Sequence, residues 1–398
     1  MTRWILINAR AVTPAGVREP ARIVVEEGRI AAIDTGTRAG AGDRERVVDC
    51  GGGWVVPGFV DLHVHGGGGG DFMDADPASQ RRAARFHARH GTTGLLATTV
   101  TASPERTLAA IRALRAAAAE PDEQGARILG IHLEGPYLNP ARGGAQNPQW
   151  MRDPDREEFA AWREAAGPYL KLLTLAPERG RALDLIRDAR EAGVVVAAGH
   201  SDATYEQMAA AVEAGVSHVI HTFNGMRGLH HREPGVVGAA LDFEVVTCEL
   251  IADGLHVHPA ALRLLYRVKG TAGAVLVTDA IAAAGLPDGR YELGGLAIRV
   301  IGGRAELADG SSLAGSTLTM DRAFRNAVRF LGVSIPEAVA MASTTPARVI
   351  GWGHRKGRLA PGYDADLVLL DSSLRVRATM VEGRFVHGAG THRGEEPS

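Results

Sequence analysis

The feature that most constrains the fold is an alternation of short apolar runs and helix-like stretches over residues 55–354. The helix-like stretches are rich in Ala, Arg and Glu, as in SQRRAARFHARHG and SDATYEQMAAAVEAG. Eight apolar runs occur, in the order VVPGFVDLHV, TGLLATTV, ILGIHLE, YLKLLTL, VVVAAGH, VSHVIHT, VVTCELIA and AVLVTDA. Alternating strands and helices predict a parallel sheet, so the fold class is α/β. Eight such repeats are typical of a (β/α)8 TIM-like barrel.

The two ends of the chain show a different pattern. Residues 1–54 contain Val- and Ile-rich runs separated by Gly-Arg turn signals, and residues 355–398 look similar before a polar tail, His392 to Ser398, that we expect to fray. Neither end is long enough to bury a good core alone. We therefore expect both ends to form one small β-sandwich domain beside a barrel domain of residues 55–354. Residues 287–314 are interpreted as a β-hairpin inserted after the eighth barrel strand.

Composition and charge exclude several classes of protein. The formal net charge is −2 and the arginines are scattered, so we expect neither nucleic acid nor an anionic membrane as a partner. No run approaches the ~18 apolar residues of a membrane span, and the N-terminus lacks an apolar core of signal-peptide length. The two cysteines, Cys50 and Cys248, match no CxxC pattern. A cytoplasmic, reduced protein is the expectation.

Imidazoles and carboxylates gather where the apolar runs stop. These residues are, in chain order, His63, His65, Glu134, His200, His221 and Asp279. Barrel active sites form at the carboxyl ends of the strands, and this set of side chains suits a divalent metal. Residues i and i+2 of a strand face the same way, so the two histidines of HVH are expected to point together into the barrel mouth.

Each of these residues also has a structural alternative. A single histidine is more often a hydrogen-bonded core residue than a ligand, and Asp279 taken alone is compatible with capping the next helix. Convergence from separate strand ends favours the metal site. We interpret the histidines of predicted helices and tails as structural, namely His87, His90, His354, His387 and His392.

Motifs along nearly the whole chain carry a family resemblance. They are PGFVDLHVHG, HLEGPYLNP, GHSDAT, HTFNGM, REPG, ADGLHVHP, VTDA, LAGSTLTM and PGYDADLVLLD. Together they resemble the amidohydrolase superfamily and, more narrowly, the N-acetylglucosamine-6-phosphate deacetylases. HxH alone is only moderately specific, whereas HLEGP, HTFNGM, ADGLH and LAGSTLTM together are specific to this family.

The resemblance implies a role for each strand-end residue. The principal metal ligands it implies are Glu134, His200 and His221, with His63 and His65 helping to hold a second metal. Asp279 matches the catalytic aspartate. The donors suit zinc, iron, manganese or cobalt, with zinc the first expectation and one or two ions per subunit. Lys171 begins the fourth run rather than ending it, so no lysine is placed to bridge two metals there and Glu134 must serve.

The resemblance also implies a substrate site. His256 matches a histidine that contacts substrate, and we interpret nearby His258 as the start of a helix. Asn224 and Gly225 match a loop whose backbone holds the sugar phosphate. Arg232 matches an arginine that reaches the phosphate across a homodimer interface, with a surface salt bridge as the alternative. The remaining substrate-binding residues implied are Ala145, Leu313, Ala314 and Gly315.

Two loops need separate interpretation. The loop after HLEGP has Gln146 where the family often has a histidine near the phosphate, which leaves the identity of the sugar phosphate open. The glycine run Gly66–Gly70 could pass for a phosphate cradle. No Lys-Ser/Thr pair follows it, so we interpret it as a flexible loop after the first strand.

The expected activity is metal-dependent deacetylation of N-acetylglucosamine-6-phosphate to glucosamine-6-phosphate and acetate, with Asp279 as general base and acid. The alternatives are N-acetylgalactosamine-6-phosphate, a non-phosphorylated N-acetyl sugar or an N-acyl amino acid as substrate. A non-catalytic scaffold with an amidohydrolase-like fold is a further alternative. Such scaffolds usually lose metal ligands, and this sequence keeps them all.

Overall fold

The computed structural model describes residues 3–36 and 45–389. The predicted fraying tail, His392–Ser398, lies outside these residues. Five strands begin the chain: β1 (Arg3–Thr13), β2 (Gly16–Glu26), β3 (Arg29–Asp34), β4 (Glu45–Asp49) and β5 (Trp54–Pro57). β1 pairs with β2 in antiparallel orientation and with β4 and β5 in parallel orientation.

Strands and helices then alternate as the sequence pattern predicts. The strands are β6 (Phe59–Val64), the short pair β7 (Gly66–Gly67) and β8 (Gly70–Asp71), β9 (Thr92–Thr98), β10 (Arg127–Glu134), β11 (Leu170–Leu175), β12 (Val195–Ala198), β13 (Val216–Val219), β14 (Thr247–Ile251) and β15 (Ala274–Val277). The helices are α1 (Pro77–Arg89), α2 (Pro104–Ala119), α3 (Arg156–Ala166), α4 (Ala182–Glu191), α5 (Tyr205–Ala214), α6 (Gly235–Asp242) and α7 (Pro259–Gly273). Short 3-10 helices span Pro140–Arg142, Pro148–Trp150 and Gly167–Tyr169.

Eight of these strands close into the predicted barrel. They lie side by side in the order β6, β9, β10, β11, β12, β13, β14 and β15. Each adjacent pair is parallel, and a parallel bridge between Val64 and Ala280 joins the two ends of the sheet. Every residue of β6 and β9 is buried, as expected for strands covered by helices outside and by packed side chains inside.

The insertion after β15 has one strand more than the predicted hairpin. It forms the antiparallel strands β16 (Gly289–Leu293), β17 (Leu296–Ile301) and β18 (Arg304–Leu307). Gly302 and Gly303 join the last two with φ values of 58° and 78°. Two consecutive residues at positive φ make the tight turn that reverses an antiparallel ribbon. The second reversal directs the chain back toward Leu313 at the barrel mouth.

The remaining helices cover the barrel before the chain returns to the first sheet. They are α8 (Met320–Leu331), α9 (Ile335–Val339), a π-helix at Ala340–Thr344 and α10 (Thr345–Val349), followed by β19 (Leu367–Leu370), β20 (Val376–Val381) and β21 (Arg384–His387). One sheet contains both ends of the chain, in the order β21, β20, β19, β5, β1, β2 and β3. Its own apolar core includes Leu6, Ile23, Val55, Leu367 and Met380.

The sheet built from both termini therefore agrees with the predicted fold class. The division into domains at residues 54 and 355 stays a prediction. No helix in residues 3–36 and 45–389 is both long and apolar enough to cross a membrane.

A buried lysine lies between α10 and the terminal sheet. The Lys356 side chain is 1% exposed, and its Nζ lies 2.7 Å from Asp366 Oδ2, 3.2 Å from Asp364 Oδ2 and 3.4 Å from Glu382 Oε1. Glu382 also pairs with Arg127 at the start of β10, at 2.9 Å. This network joins the terminal sheet to the barrel.

Candidate metal centre and active site

Two clusters of metal-ligating side chains lie at the carboxyl ends of the barrel strands. One cluster is Glu134, His200 and His221, and the other is His63, His65 and Asp279. The ligand atoms of each cluster lie within 4.8 Å of one another, and all six side chains are buried. The structure thus brings together the strand-end residues singled out from the sequence.

Glu134 lies between the two clusters. Its Oε1 is 3.0 Å from His200 Nε2 and 3.2 Å from His221 Nε2. Its Oε2 is 3.2 Å from His65 Nε2 and 3.5 Å from His63 Nε2. Each carboxylate oxygen therefore faces one cluster.

Backbone carbonyls fix the orientation of two of the imidazoles. His200 Nδ1 lies 2.9 Å from Arg142 O, and His221 Nδ1 lies 3.0 Å from Asn224 O. Because a carbonyl only accepts, each Nδ1 carries a proton and each Nε2 directs its lone pair toward Glu134. The two Nε2 atoms are 3.1 Å apart. The lone pairs of both Nε2 atoms and the Glu134 carboxylate therefore lie close together, and a divalent cation fits this donor set.

The second cluster, His63, His65 and Asp279, likewise brings a carboxylate and two imidazoles together. Among the described residues, His63 Nε2 is buried without a hydrogen-bond partner. Burial lowers the pKa of His65, but hydrogen bonds and charges from Asp279 and Glu134 outweigh it and raise that pKa to about 9. Burial opposes ionisation of Asp279, yet the neighbouring His63 and His65 hold its pKa below the usual value, so it is a carboxylate at neutral pH. A cluster that attracts protons this strongly also attracts a cation.

The backbone is strained at three of these positions. His200, His221 and Asp279 have φ values of 46°, 27° and 50°. L-residues rarely adopt this left-handed region, and such strain concentrates at functional sites. Each residue lies two positions after the end of a barrel strand, where the chain turns sharply and aims the side chain into the barrel mouth.

A pocket of about 200 Å³ lies over the clusters. Its lining includes most of the residues that the sequence assigned to substrate: Ala145, Asn224, Gly225, His256, Leu313 and Gly315. Ala314 is fully buried between two of them. Arg232 does not line this pocket; it is exposed, and its Nη1 lies 2.8 Å from His231 Nε2.

Asp253 holds His256 in place. Asp253 Oδ2 lies 2.7 Å from His256 Nδ1, and Asp253 Oδ1 accepts a hydrogen bond from the His256 backbone N–H. Burial lowers the pKa of His256, but Asp253 outweighs it and raises that pKa above the ordinary value. His258 caps α7 by accepting from Ala260 N, so it begins the helix as expected.

The interpretation of the glycine-rich loop needs correction, and the structure adds contacts for Gln146. The run Gly66–Gly70 is not a free loop but forms the β7–β8 pair, with His87 Nε2 2.9 Å from Gly66 O. A Cβ on Gly70 would lie 2.2 Å from Ser79 O, so close packing explains this glycine. Gln146 lies at the metal end of the pocket, where its Nε2 donates to Glu134 Oε2 at 2.7 Å. Its Oε1 accepts from Thr101 N at 2.7 Å.

Sequence reasoning missed Glu249, a fully buried carboxylate of β14. Its Oε2 lies 2.9 Å from His63 Nδ1, and its Oε1 lies 3.1 Å from His218 Nε2. Burial opposes its ionisation, but His63 and His218 hold its pKa well below the usual range. The available signal was a single charge inside the apolar run VVTCELIA.

Comparisons with known proteins agree with this geometry. The model of the amidohydrolase family matches residues 54–386. The chain belongs to the amidohydrolase family. This amidohydrolase is 38% identical to the N-acetylglucosamine-6-phosphate deacetylase of Lysinibacillus sphaericus, over 96% of this chain and 97% of the relative. It is 40% identical to the N-acetylgalactosamine-6-phosphate deacetylase of Escherichia coli O157:H7, over 96% and 98% of the two chains.

A solved structure of the same family superposes closely. It is the N-acetyl-D-glucosamine-6-phosphate deacetylase of Mycobacterium smegmatis, an aspartate-to-alanine mutant in complex with N-acetyl-D-glucosamine-6-phosphate. The TM-score is 0.91 at 40% identity, covering 97% of this amidohydrolase and 100% of that chain.

Proposed function

We propose that this amidohydrolase cleaves the acetamide of N-acetylglucosamine-6-phosphate, releasing acetate and glucosamine-6-phosphate. The observation that carries the proposal is the pair of donor clusters sharing Glu134 beneath a pocket lined by Asp279 and His256. Relatives named for this activity, among them those of Lysinibacillus sphaericus and Bacillus subtilis, support the choice of substrate.

The donor clusters are suited to one or two divalent cations. The residues proposed to hold them are Glu134, His200 and His221 for the first, and His63 and His65 beside Glu134 for the second. Nitrogen and oxygen donors suit zinc, iron, manganese or cobalt, and we choose zinc first because histidine-rich sites with an open position favour it. Such a cation supplies Lewis acidity, which polarises a carbonyl and lowers the pKa of a water.

Asp279 is proposed as the general base and then the general acid. Its ionised carboxylate lines the pocket and takes a proton from the water that attacks the amide carbon. It returns that proton to the sugar nitrogen as the C–N bond breaks. The protonation is needed because the nitrogen leaves readily only as a neutral amine.

His256 is proposed to stabilise the carbonyl oxygen as negative charge develops on it. Asp253 occupies Nδ1, which leaves Nε2 to donate toward the pocket. Because Asp253 also raises the pKa of His256, the protonated ring is favoured. One such donor contributes about 2.7–4 kcal/mol to transition-state stabilisation in other hydrolases.

The phosphate is proposed to bind at the loop of Asn224 and Gly225, with Ala145, Leu313, Ala314 and Gly315 beside the sugar and N-acetyl groups. Arg232 is exposed on the following loop, so its guanidinium is accessible to a second copy of the chain. We propose a homodimer in which Arg232 of one subunit reaches the phosphate in the other. Two unpaired, buried cysteines, Cys50 and Cys248, support a cytoplasmic location.

N-acetylgalactosamine-6-phosphate is the second candidate substrate. The observation in its favour is the 40% identity to the Escherichia coli O157:H7 deacetylase named for it, over nearly the full length of both chains. The two sugars differ only in the configuration of one hydroxyl, so they place the same demands on Asp279 and the donor clusters.

Acetate release by metal-replete protein tests the proposal. N-acetylglucosamine-6-phosphate, N-acetylgalactosamine-6-phosphate and N-acetylglucosamine are compared at equal concentration. Asp279→Asn removes the proposed base, and Asp184→Asn, in an exposed ion pair of α4, is the matched control. We expect the first substrate to be preferred, Asp279→Asn to be inactive and Asp184→Asn to match wild type. Equal turnover of the unphosphorylated sugar contradicts the phosphate assignment.

A further inference from the structure

We infer that Glu249 is a positioning residue that fixes the tautomer of His63 and the relative position of the two donor clusters. The inference rests on the metal centre in the proposed function but concerns a residue outside both clusters. Glu249 does not line the pocket, so any effect on the reaction passes through the residues that it contacts.

Both carboxylate oxygens of Glu249 are occupied. Oε2 lies 2.9 Å from His63 Nδ1 and accepts from the backbone N–H of His221 at 2.9 Å. Oε1 lies 3.1 Å from His218 Nε2. One side chain of β14 thus contacts a histidine from each cluster, at the ends of two other barrel strands.

The contacts of His218 determine which of its ring nitrogens donates to Glu249. His218 Nδ1 lies 2.6 Å from Thr247 Oγ1, which is 3.2 Å from Ser217 O. Because Thr247 Oγ1 donates to Ser217 O and a carboxylate oxygen only accepts, His218 donates to Glu249 Oε1 from Nε2. Glu249 is therefore an acceptor on both sides.

An acceptor at Glu249 determines the tautomer of His63. An ionised carboxylate cannot donate, so His63 Nδ1 must carry the proton that lies between them. The lone pair of His63 is then on Nε2, the atom that faces Glu134 and Asp279 and has no hydrogen-bond partner in the part of the chain that the structure describes. A carboxylate behind a ligating histidine is a common way to orient the ring and raise its basicity.

The contact with His221 adds a second effect. The His221 backbone is held at a φ of 27°, and its N–H donates to the same Oε2 that faces His63. This hydrogen bond supports the strained turn that aims His221 at Glu134. Replacing Glu249 is therefore expected to disturb both clusters. The larger effect is expected at the cluster that contains His63.

Packing alone does not explain why position 249 is a carboxylate. Replacing a buried charged network by apolar residues of similar volume is often neutral or stabilising for a fold. A purely structural role predicts that Glu249→Leu changes stability and leaves metal binding intact. A positioning role predicts a loss of metal affinity that depends on His63.

The experiment is a double-mutant cycle read by zinc titration of the metal-free protein. Wild type, Glu249→Leu, His63→Asn and the double variant are compared for the number of ions bound and the affinity of each. We expect wild type to bind two ions and Glu249→Leu to bind one of them about 10- to 100-fold more weakly. Because Glu249 acts through His63, the loss is expected to shrink to less than about threefold in the His63→Asn background.

Two further variants keep the test decisive. Glu249→Gln retains one acceptor oxygen, so we expect a smaller loss of about twofold to tenfold that also shrinks in the His63→Asn background. It replaces Glu249→Leu in the cycle if the latter does not fold. Asp366→Asn removes a buried carboxylate of the terminal sheet and is expected to lower thermal stability with both ions retained.

Unchanged zinc affinity in both Glu249 variants, or an equal loss with and without His63, overturns the inference. A wild-type protein that binds a single ion regardless of His63 overturns it as well. Because this experiment uses no sugar, its result is separate from that of the deacetylation assay. Failure of wild-type protein to release acetate, with two ions bound and the cycle as expected, contradicts the proposed function alone.

Discussion

Gln146 donates a hydrogen bond from its side-chain amide to Glu134 at 2.7 Å, on the same oxygen that faces His63 and His65. The oxygen of the same amide, Oε1, accepts a hydrogen bond from Thr101 N at 2.7 Å, so both polar atoms of the side chain are bonded. Gln146 is buried. A glutamine in this position supports the carboxylate that faces both clusters.

Gln146→Leu is therefore expected to weaken metal binding about tenfold and to lower kcat, because Glu134 loses a fixed partner. The ratio of KM values for N-acetylglucosamine-6-phosphate and N-acetylglucosamine should stay as in wild type. Zinc titration and steady-state kinetics measure both effects. Asn147→Ala, in the adjacent cap of a 3-10 helix, is the control and should leave metal binding unchanged. A KM raised only for the phosphorylated sugar would instead place Gln146 at the phosphate.

His256→Asn is expected to lower kcat about 10²- to 10³-fold with little change in metal content. The variant loses the ring that Asp253 orients and whose pKa Asp253 raises. Acetate release, measured beside metal analysis of the same sample, checks this. The neighbouring cap variant His258→Asn should stay close to wild type, since asparagine also caps helices well. Equal losses in the two variants would contradict a specific role for His256.

The free energy of unfolding should depend on pH through His87. Burial lowers the pKa of His87 from 6.5 to about 4, although its contact with Gly66 O opposes this. Between these values the unfolded chain binds more protons than the folded one, so stability falls as the pH drops from 6.5 toward 4. The loss of unfolding free energy that is due to His87 approaches roughly 3 kcal/mol.

Urea unfolding of metal-free protein at pH 7.5 and 4.5 measures that change, because metal binding has a pH dependence of its own. His87→Gln should show a smaller drop than wild type between the two pH values. His354→Gln, at an exposed histidine, should show the same drop as wild type. If His87→Gln and wild type lose equal stability, His87 is not the group that titrates.

Regular patterns made the fold predictable. Eight apolar runs specified the barrel strands, and the ends of those runs located the six clustered side chains, because parallel strands in a barrel end on one face. The third strand of the insertion was missed because Gly302 and Gly303 reverse a short segment whose pattern resembles one arm of a hairpin.

Side-chain partners were not predictable in the same way. Glu249 contacts His63 from 186 positions away in sequence, and no local pattern encodes a contact between β14 and β6. The sequence places Gln146 where relatives often have a histidine near the phosphate, but its contact with Glu134 depends on how the loop after β10 folds. The positive φ at His221 likewise accompanies a tertiary contact, between its N–H and Glu249, that no local pattern encodes.

Lys356→Met is expected to lower the free energy of unfolding by about 3–5 kcal/mol, because it removes the ammonium group that pairs with the buried carboxylate of Asp366, while Asp364 keeps its ion pair with Arg355. Denaturant unfolding checks the size of the loss. Lys269→Met is the control, since that half-buried lysine donates to a carbonyl, Phe243 O, and the loss of this hydrogen bond should cost about 1 kcal/mol. Losses of equal size would show that the Lys356 network adds nothing beyond one hydrogen bond.

Arg232 provides the sharpest test of the proposed homodimer. If it reaches the phosphate of the partner subunit, Arg232→Ala should raise KM for N-acetylglucosamine-6-phosphate and leave KM for N-acetylglucosamine unchanged. Arg232→Ala and Asp279→Asn subunits then have complementary defects. A mixed dimer places an intact Asp279 and a partner's intact arginine in one of its two sites. Random mixing makes half of the dimers mixed, so activity at low substrate should recover to about a quarter of wild type. An arginine that acts within its own subunit gives no such recovery, because no site in the mixture then contains both residues.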